Sequence, residues 1–167
     1  GFSATAMHYV SEKPCEIEDH VHMVGAAADE RAQFAQRAAE DWEKILLARA
    51  AEMKSGSQFI VLNFGIDEEG RYLGHTGGHS MFDKFTQHWR ALLSADKITQ
   101  EEFRRATFVQ HYRTLDEFKA PFDSQDTPVM KAGLRLKSAR TQLTKCPYQM
   151  AFIEADGAMS ASQYATS

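Results

Sequence analysis

The chain has 167 residues, 43% of them hydrophobic and 25% charged, which is typical of an ordinary globular domain with its own core. A net charge of −4 lacks the Lys/Arg excess that neutralises phosphates, so it disfavours a general nucleic-acid binder. No apolar run approaches the ~20 residues of a membrane-spanning helix. Cys15 and Cys146 show no metal-ligand spacing, which favours a reduced, cytoplasmic chain.

The first elements in chain order are a short helical turn within residues 3–12 and a short extended piece over residues 20–24. The strongest helical signal follows over residues 27–54, where Asp29 suits the N-terminal end and Gly56 a left-handed turn after the helix. The apolar positions that recur at helical spacing are Phe34, Ala38, Trp42, Ile45, Leu46 and Met53.

A continuous apolar run then covers residues 59–64, within a predicted strand over residues 58–64. It is too short for a helix, and it predicts a strand buried on both faces, as in a parallel sheet. A long amphipathic helix, a glycine turn and a buried strand together form one limb of an α/β fold. We therefore predict the α/β class.

The remaining chain predicts a loop over residues 65–80 and then mostly helices, the first over about 80–95. Two capping boxes begin further helices, at Thr99 with Glu102 and at Thr114 with Glu117. A single turn begins at Thr127 and Pro128 and closes at Gly133.

Alternating apolar and basic residues over 134–144 predict a second, half-exposed strand. The chain is thus expected to be one domain, or a fragment of a longer protein. Its predicted parts are the end of a sheet core (1–65), a loop and helical cap (66–133), a returning strand (134–148) and a tail (149–167).

Several segments carry a family resemblance in matching order and at similar spacing. Residues 7–14, M-H-Y-V-S-E-K-P, are similar to "L-M/H-W-L-S-x-V-P", and residues 41–52 are similar to "D-x-x-x-F-L-x-x-R-x-x-E-L". Residues 98–103 and 112–118 are similar to "L-I-x-E-E-x" and "Y-x-P-S-x-E-E-V". These motifs belong to the SABATH family, S-adenosylmethionine-dependent methyltransferases of salicylate-, jasmonate- and xanthine-type small molecules.

The resemblance implies a partial Rossmann-like methyltransferase sheet, its C-terminal half, with a helical cap insertion. It also implies S-adenosylmethionine as the cofactor and a small carboxylic acid or related metabolite as the methyl acceptor. The sequence departs from the family at Tyr9, where the first motif has Trp. It also departs at Ser55 and Ser57, where the turn "L-x-P-G-G" of class I methyltransferases has its Pro and its second Gly. The family's acidic-Gly-x-Gly cofactor loop does not occur in it. We therefore expect the substrate-side part of an enzyme, inactive by itself.

The resemblance also implies the acceptor-binding residues. Tyr9 takes the place of an indole that aims the acceptor carboxylate, and a phenol can also donate a hydrogen bond. His8 lies beside it, and Met81 and Phe82 are candidates for closing the acceptor pocket. The alternative roles are a core aromatic for Tyr9, a helix-capping imidazole for His8, and plain helix core for Met81 and Phe82. Because a carboxylate is already nucleophilic, positioning suffices and no catalytic side chain is assigned.

On the cofactor side, Ser3, Ala4 and Thr5 match a family stretch that lines the adenosine, although a surface turn is the alternative. The expected partners are a small-molecule acceptor and a second copy of the chain in a homodimer, with neither nucleic acid nor membrane.

Two other functions remain open. A non-catalytic oligomerising or small-molecule-binding module would use the apolar strand at residues 59–64. A histidine-based metal protein would use His20 and His22 or His75 and His79, but none of these pairs has a third ligand at metal-site spacing, so no metal ligands are predicted.

Overall fold

The computed structural model describes residues 1–76, 78–145, 147–155 and 160. Within them the fold is mixed α/β. The strands are β1 (Phe2–Ala4), β2 (Ile60–Leu62), β3 (Gly65–Ile66), β4 (His75–Thr76), β5 (His79–Ser80) and β6 (Arg113–Thr114). The helices are α1 (Ala28–Glu52), α2 (Met81–Ser94), α3 (Gln100–Arg105), α4 (Leu115–Lys119), α5 (Pro128–Lys131) and α6 (Pro147–Glu154), with 3₁₀ turns at Met23–Gly25 and Ala120–Phe122.

Helix α1 confirms the prediction for residues 27–54. The Glu30 carboxylate accepts the Ala27 N–H at 2.8 Å, which satisfies one of the donors that a helix start leaves free. A single stripe of the helix is buried, formed by Phe34, Ala38, Asp41, Trp42 and Leu46. After the helix, Gly56 has φ +79°, the left-handed conformation that the sequence predicts there.

Strands β1 and β2 pair in parallel, with Ser3 opposite Val61. Val61 packs against the Trp42 cluster beneath the pair, whereas Ile60 and Leu62 point outward and are 52% and 57% exposed. The predicted strand is therefore confirmed, but its predicted burial on both faces is wrong, because α1 covers one face only. The predicted helical turn within residues 3–12 is also wrong, since β1 occupies part of that segment.

The other strands form two small separate sheets. β3 pairs with β6 in parallel, and β4 pairs with β5 as a hairpin inside the predicted 65–80 loop. Tyr9 and Gln110 make an isolated antiparallel bridge. The described residues thus form three two-stranded sheets, and the predicted Rossmann-like sheet is only partly present.

The helices after residue 80 agree closely with those predicted from the sequence. The Ser80 hydroxyl accepts the N–H groups of Phe82 and Asp83 at the start of α2. Both predicted capping boxes are formed, at the starts of α3 and α4. The turn of α5 is followed by Gly133 at φ +96°, as predicted.

Two further local predictions fail. The extended piece expected over residues 20–24 gives way to the 3₁₀ turn at Met23–Gly25. The returning strand expected over residues 134–148 is not formed, because residues 134–145 run without helix or strand and Leu143 is 58% exposed. Alternation alone cannot make a strand where no neighbouring strand offers a ladder. Helix α6 instead begins at Pro147, and Cys146 lies outside the described residues.

The core consists of two clusters. The first joins the N-terminal segment, α1 and α2, and its buried members are Val10, Ile17, Met23, Ala26, Phe34, Ala38, Phe82 and Tyr112. The second lies between α1, β2 and α5, and its buried members are Trp42, Leu46 and Val129. The segment that follows β1 runs along both clusters, and it carries two of the four predicted acceptor residues, His8 and Tyr9.

Candidate functional site

His8 is buried, with only 3% of its surface exposed. Its ring packs against Phe64 at 5.0 Å and Tyr112 at 5.9 Å between centroids, and its Nδ1 lies 3.5 Å from Asn63 Oδ1. Desolvation by burial, helped by the positive charge of Arg113, lowers the pKa of His8, while the contact with Asn63 opposes this. His8 is therefore a neutral, largely apolar surface at neutral pH.

Tyr9 is 58% exposed, and its ring leans on His8 at 4.3 Å between centroids. It lies opposite Gln110 in the isolated bridge. The alternative role of a core aromatic does not apply to Tyr9, because its side chain faces solvent. An exposed phenol remains free to donate a hydrogen bond to a ligand.

The two other acceptor candidates lie at the start of α2. Phe82 is 2% exposed and stacks on His22 at 3.9 Å between centroids, so it belongs to the core. Met81 is half-buried and packs against the same cluster. A Cβ at Gly74, where φ is +83°, would lie 2.7 Å from the Met81 Cβ, so glycine is required beneath Met81. The structure brings Phe82 and His8 together through Tyr112, which lies 5.9 Å from each ring.

The cofactor candidates lie at the end of β1. Ser3 and Ala4 are in the strand, opposite Val61 and Leu62. Thr5 follows with φ +51°, and its N–H donates to the Leu62 carbonyl at 2.8 Å. Because ligands of α/β folds bind outside the carboxyl ends of parallel strands, these residues occupy the appropriate end of the sheet.

Three residues that the sequence reasoning did not single out join this region. Asn63 directly follows β2, and its Oδ1 accepts the Met7 N–H at 3.0 Å. Arg113 is 1% exposed and donates to the carbonyl oxygens of Met7 and Ala38. Burial lowers the pKa of Arg113 to about 10 and raises that of Tyr112 to about 12. The signal for Asn63 was its polarity within an apolar run, whereas nothing in the sequence marks Arg113 as buried.

Two further polar groups lie close by. His22 is fully buried, its Nδ1 accepts the Val24 N–H at 3.3 Å, and desolvation lowers its pKa to about 3. His111 Nε2 pairs with Glu117 Oε1 at 2.9 Å. Desolvation alone would raise the pKa of Glu117, but hydrogen bonds from His111 and the Thr114 N–H lower it.

Three of the four histidines of the metal hypothesis contact other side chains. His20 Nε2 lies 3.1 Å from Asp83 Oδ1, His22 stacks on Phe82, and His75 stacks on Tyr72. His79 lies in the β4–β5 hairpin. Among the described residues, no group of three or more His, Cys, Asp and Glu side chains could hold a metal ion. In the same part of the chain, no helix has both the length and the apolar character that crossing a membrane requires.

A cavity of about 450 Å³ lies on the helical cap. It is lined by Val21, Phe85, His88, Trp89, Leu92, Ala106 and Phe108. None of the predicted acceptor or cofactor residues contributes to this lining, so the cavity is separate from the site predicted at the end of β1.

No family model and no curated protein matches the sequence. Among solved structures, the chain is similar to a loganic acid methyltransferase with SAH, with a TM-score of 0.52 and 17% sequence identity. The match covers 71% of this chain and 36% of that one, so the chain spans about a third of the length of its structural neighbour. At this identity the likeness concerns the fold: the chain has a mixed α/β fold similar to that of a methyltransferase.

Proposed function

We propose that the chain is the C-terminal, substrate-side part of an S-adenosylmethionine-dependent methyltransferase that acts on a small carboxylic acid or related metabolite. The observation that carries this proposal is the parallel pair β1–β2 within a methyltransferase-like fold. Its carboxyl end leads through Thr5 directly to His8 and Tyr9, so cofactor and acceptor candidates adjoin one another.

The proposed reaction is an in-line displacement. A carboxylate oxygen of the acceptor forms a bond to the methyl carbon as the carbon–sulfur bond breaks, and the electron pair stays on sulfur. The sulfonium cofactor supplies the methyl group, and its product is the thioether SAH, the compound present in the structural neighbour. Because an anion and a cation give two neutral groups, no proton moves and no general base is needed.

The chain's own residues orient the acceptor in this proposal. The exposed Tyr9 hydroxyl donates to the acceptor carboxylate, and the neutral His8 ring supports the Tyr9 ring from below. Met81 forms an apolar wall for the rest of the acceptor, supported by Phe82 from the core. Holding reacting groups in place is sufficient to account for large rate enhancements, since it removes the entropy cost of an encounter.

The exposed face of β1–β2 supports the interpretation as one part of a larger fold. Phe2, Ile60 and Leu62 are each more than half exposed on this face. Parallel sheets are normally covered by helices on both faces, so this face fits the remainder of an α/β domain. We assign Ser3, Ala4 and Thr5 to the adenosine side of the cofactor, and we expect the chain alone to be inactive because the family's acidic-Gly-x-Gly loop does not occur in its sequence.

Titration with SAH tests whether this chain holds only the adenosine side of the cofactor site, with the main cofactor loop elsewhere in the enzyme. We expect weak binding, with a dissociation constant above about 100 µM, and amide NMR shifts confined to the end of β1 around Thr5. Micromolar affinity in calorimetry would contradict the division, because it would place the main cofactor site within this chain. Millimolar SAH that leaves the β1 resonances unchanged would refute the cofactor assignment.

A second candidate function, an oligomerising module, is favoured by the same exposed face. If Ile60 and Leu62 seat a second copy, light scattering will give the mass of a dimer, and Ile60→Lys will return a monomer. A monomer at high concentration for the unmodified chain would eliminate this candidate.

A further inference from the structure

We infer that Asn63 and Arg113 are positioning residues that hold the backbone at Met7 and so fix Tyr9 as a rigid hydrogen-bond donor to the acceptor. The inference rests on the proposed function and deepens it. Neither side chain touches the acceptor in this scheme, since both act through the peptide groups that precede Tyr9.

Asn63 holds the amino side of Met7. Its Oδ1 accepts the Met7 N–H at 3.0 Å and lies 3.5 Å from His8 Nδ1. Its Nδ2 donates to the Phe64 carbonyl at 3.0 Å, which fixes the orientation of the amide. Asn63 thereby ties the segment after β1 to the end of β2, the strand that pairs with β1.

Arg113 holds the carbonyl side of the same residue. Its guanidinium donates to the Met7 carbonyl and, at 2.5 Å, to the Ala38 carbonyl in α1, and it lies over the Phe118 ring at 5.6 Å. A buried guanidinium carries a large desolvation cost, which lowers the pKa of Arg113. The negative charges of Glu117 and Asp41 offset part of this cost. The two carbonyl contacts offset more of it, and the contact with Met7 does so while the Met7 carbonyl stays in one place.

The residues on either side of Tyr9 are held as well. The His8 carbonyl accepts the His111 N–H at 2.8 Å, and the Ser11 N–H donates to Asp41 at 2.8 Å. The backbone around Tyr9 is thus fixed from both directions, while the Tyr9 side chain itself stays exposed. A donor held in advance loses little entropy when it binds a ligand, which is the physical benefit of this arrangement.

The test compares two variants that each remove one side-chain acceptor of a long-range backbone N–H. Asn63→Ala frees the Met7 N–H, and the matched control Thr107→Ala frees the Ile17 N–H, which donates to Thr107 at 3.3 Å. The probe is benzoate, titrated by NMR into the full chain in the presence of millimolar SAH, with the resonances of Tyr9 as reporter. Amide exchange at His111, whose N–H donates to the His8 carbonyl, reports whether the backbone around Tyr9 stays fixed.

We expect Asn63→Ala to weaken benzoate binding about tenfold and to speed amide exchange at His111. Thr107→Ala should change benzoate affinity less than twofold at a comparable loss of Tm. Asn63→Asp keeps an acceptor for Met7 and should restore most of the affinity, and Arg113→Lys should weaken binding as Asn63→Ala does.

Equal losses of benzoate affinity in Asn63→Ala and Thr107→Ala would overturn the positioning role, because general destabilisation would then explain both. Unchanged exchange at His111 in Asn63→Ala would overturn it independently of any ligand. If the wild-type chain binds neither SAH nor benzoate, the proposed function itself is overturned, and with it the role of Asn63 and Arg113 in acceptor binding.

Discussion

Acidification should destabilise the chain through His22. This imidazole is fully buried against Phe82, and its pKa falls from 6.5 to about 3 because burial removes it from water. The folded state therefore binds the proton more weakly than the unfolded state does. The stability that the neutral form supplies is complete above pH 6.5 and is lost as the pH falls from 6.5 toward about 3.

The magnitude follows from the two pKa values. One pKa unit corresponds to about 1.4 kcal/mol, so protonation of unfolded His22 costs the fold about 2 kcal/mol at pH 5 and at most about 5 kcal/mol near pH 3. A loss of about 2 kcal/mol is a substantial part of the ~5–15 kcal/mol that stabilises an ordinary domain. His8, whose pKa is also lowered by desolvation, adds to the loss in the same direction.

Urea unfolding at pH 7.5 and pH 5.0, followed by circular dichroism, measures this loss. His22→Phe keeps a flat ring on Phe82 but cannot titrate, so its stability should fall by about 2 kcal/mol less than that of the wild type over this interval. His88→Phe is the matched control, since His88 lies exposed on α2, and it should retain the wild-type pH dependence. Equal pH dependence in the wild type and His22→Phe would refute the reasoning.

Three further substitutions test other parts of the structure. Trp42→Phe removes the indole donor to the Phe118 carbonyl at 3.1 Å, and urea unfolding should show a loss of about 1–3 kcal/mol; a change below about 0.5 kcal/mol would contradict this. Tyr9→Phe should leave the free energy of unfolding within about 0.5 kcal/mol of wild type, because Tyr9 is exposed, yet weaken benzoate binding in NMR titration. Unchanged benzoate affinity would exclude the phenol as a donor. Gly74→Ala should lower Tm and cost at least about 1–2 kcal/mol, since its Cβ would meet Met81 at 2.7 Å; wild-type Tm would show that the turn relaxes freely.

Local signals predicted the helices well. The periodicity of apolar residues gave α1 almost to its ends, and the capping box of Thr99 and Glu102 marked the start of α3. These signals succeed because helix hydrogen bonds and caps join residues a few positions apart. The alternation over residues 134–144 failed because a strand depends on a distant partner that the alternation does not reveal.

The candidate site was only partly predictable for a related reason. Family resemblance pointed to the segment of His8 and Tyr9, but the contacts that the distant Asn63 and Arg113 make with Met7 in this segment have no local signal in the sequence. Arginine is almost never fully buried, so its identity argues for the surface. The folded structure shows that Arg113 is buried instead, because its guanidinium donates both to the Met7 carbonyl and to the Ala38 carbonyl in α1.

The segment over residues 134–145, which forms neither helix nor strand, has a practical consequence. It carries the exposed residues Lys137 and Arg140 on backbone that belongs to no helix or strand, and a hydrogen bond of 2.6 Å joins Thr141 to Glu68. Proteases bind extended, accessible chain, so brief trypsin treatment should cut here first and detach α6. Both core clusters lie on the N-terminal side of these basic residues, so a stable fragment ending near residue 137 should accumulate in the digest.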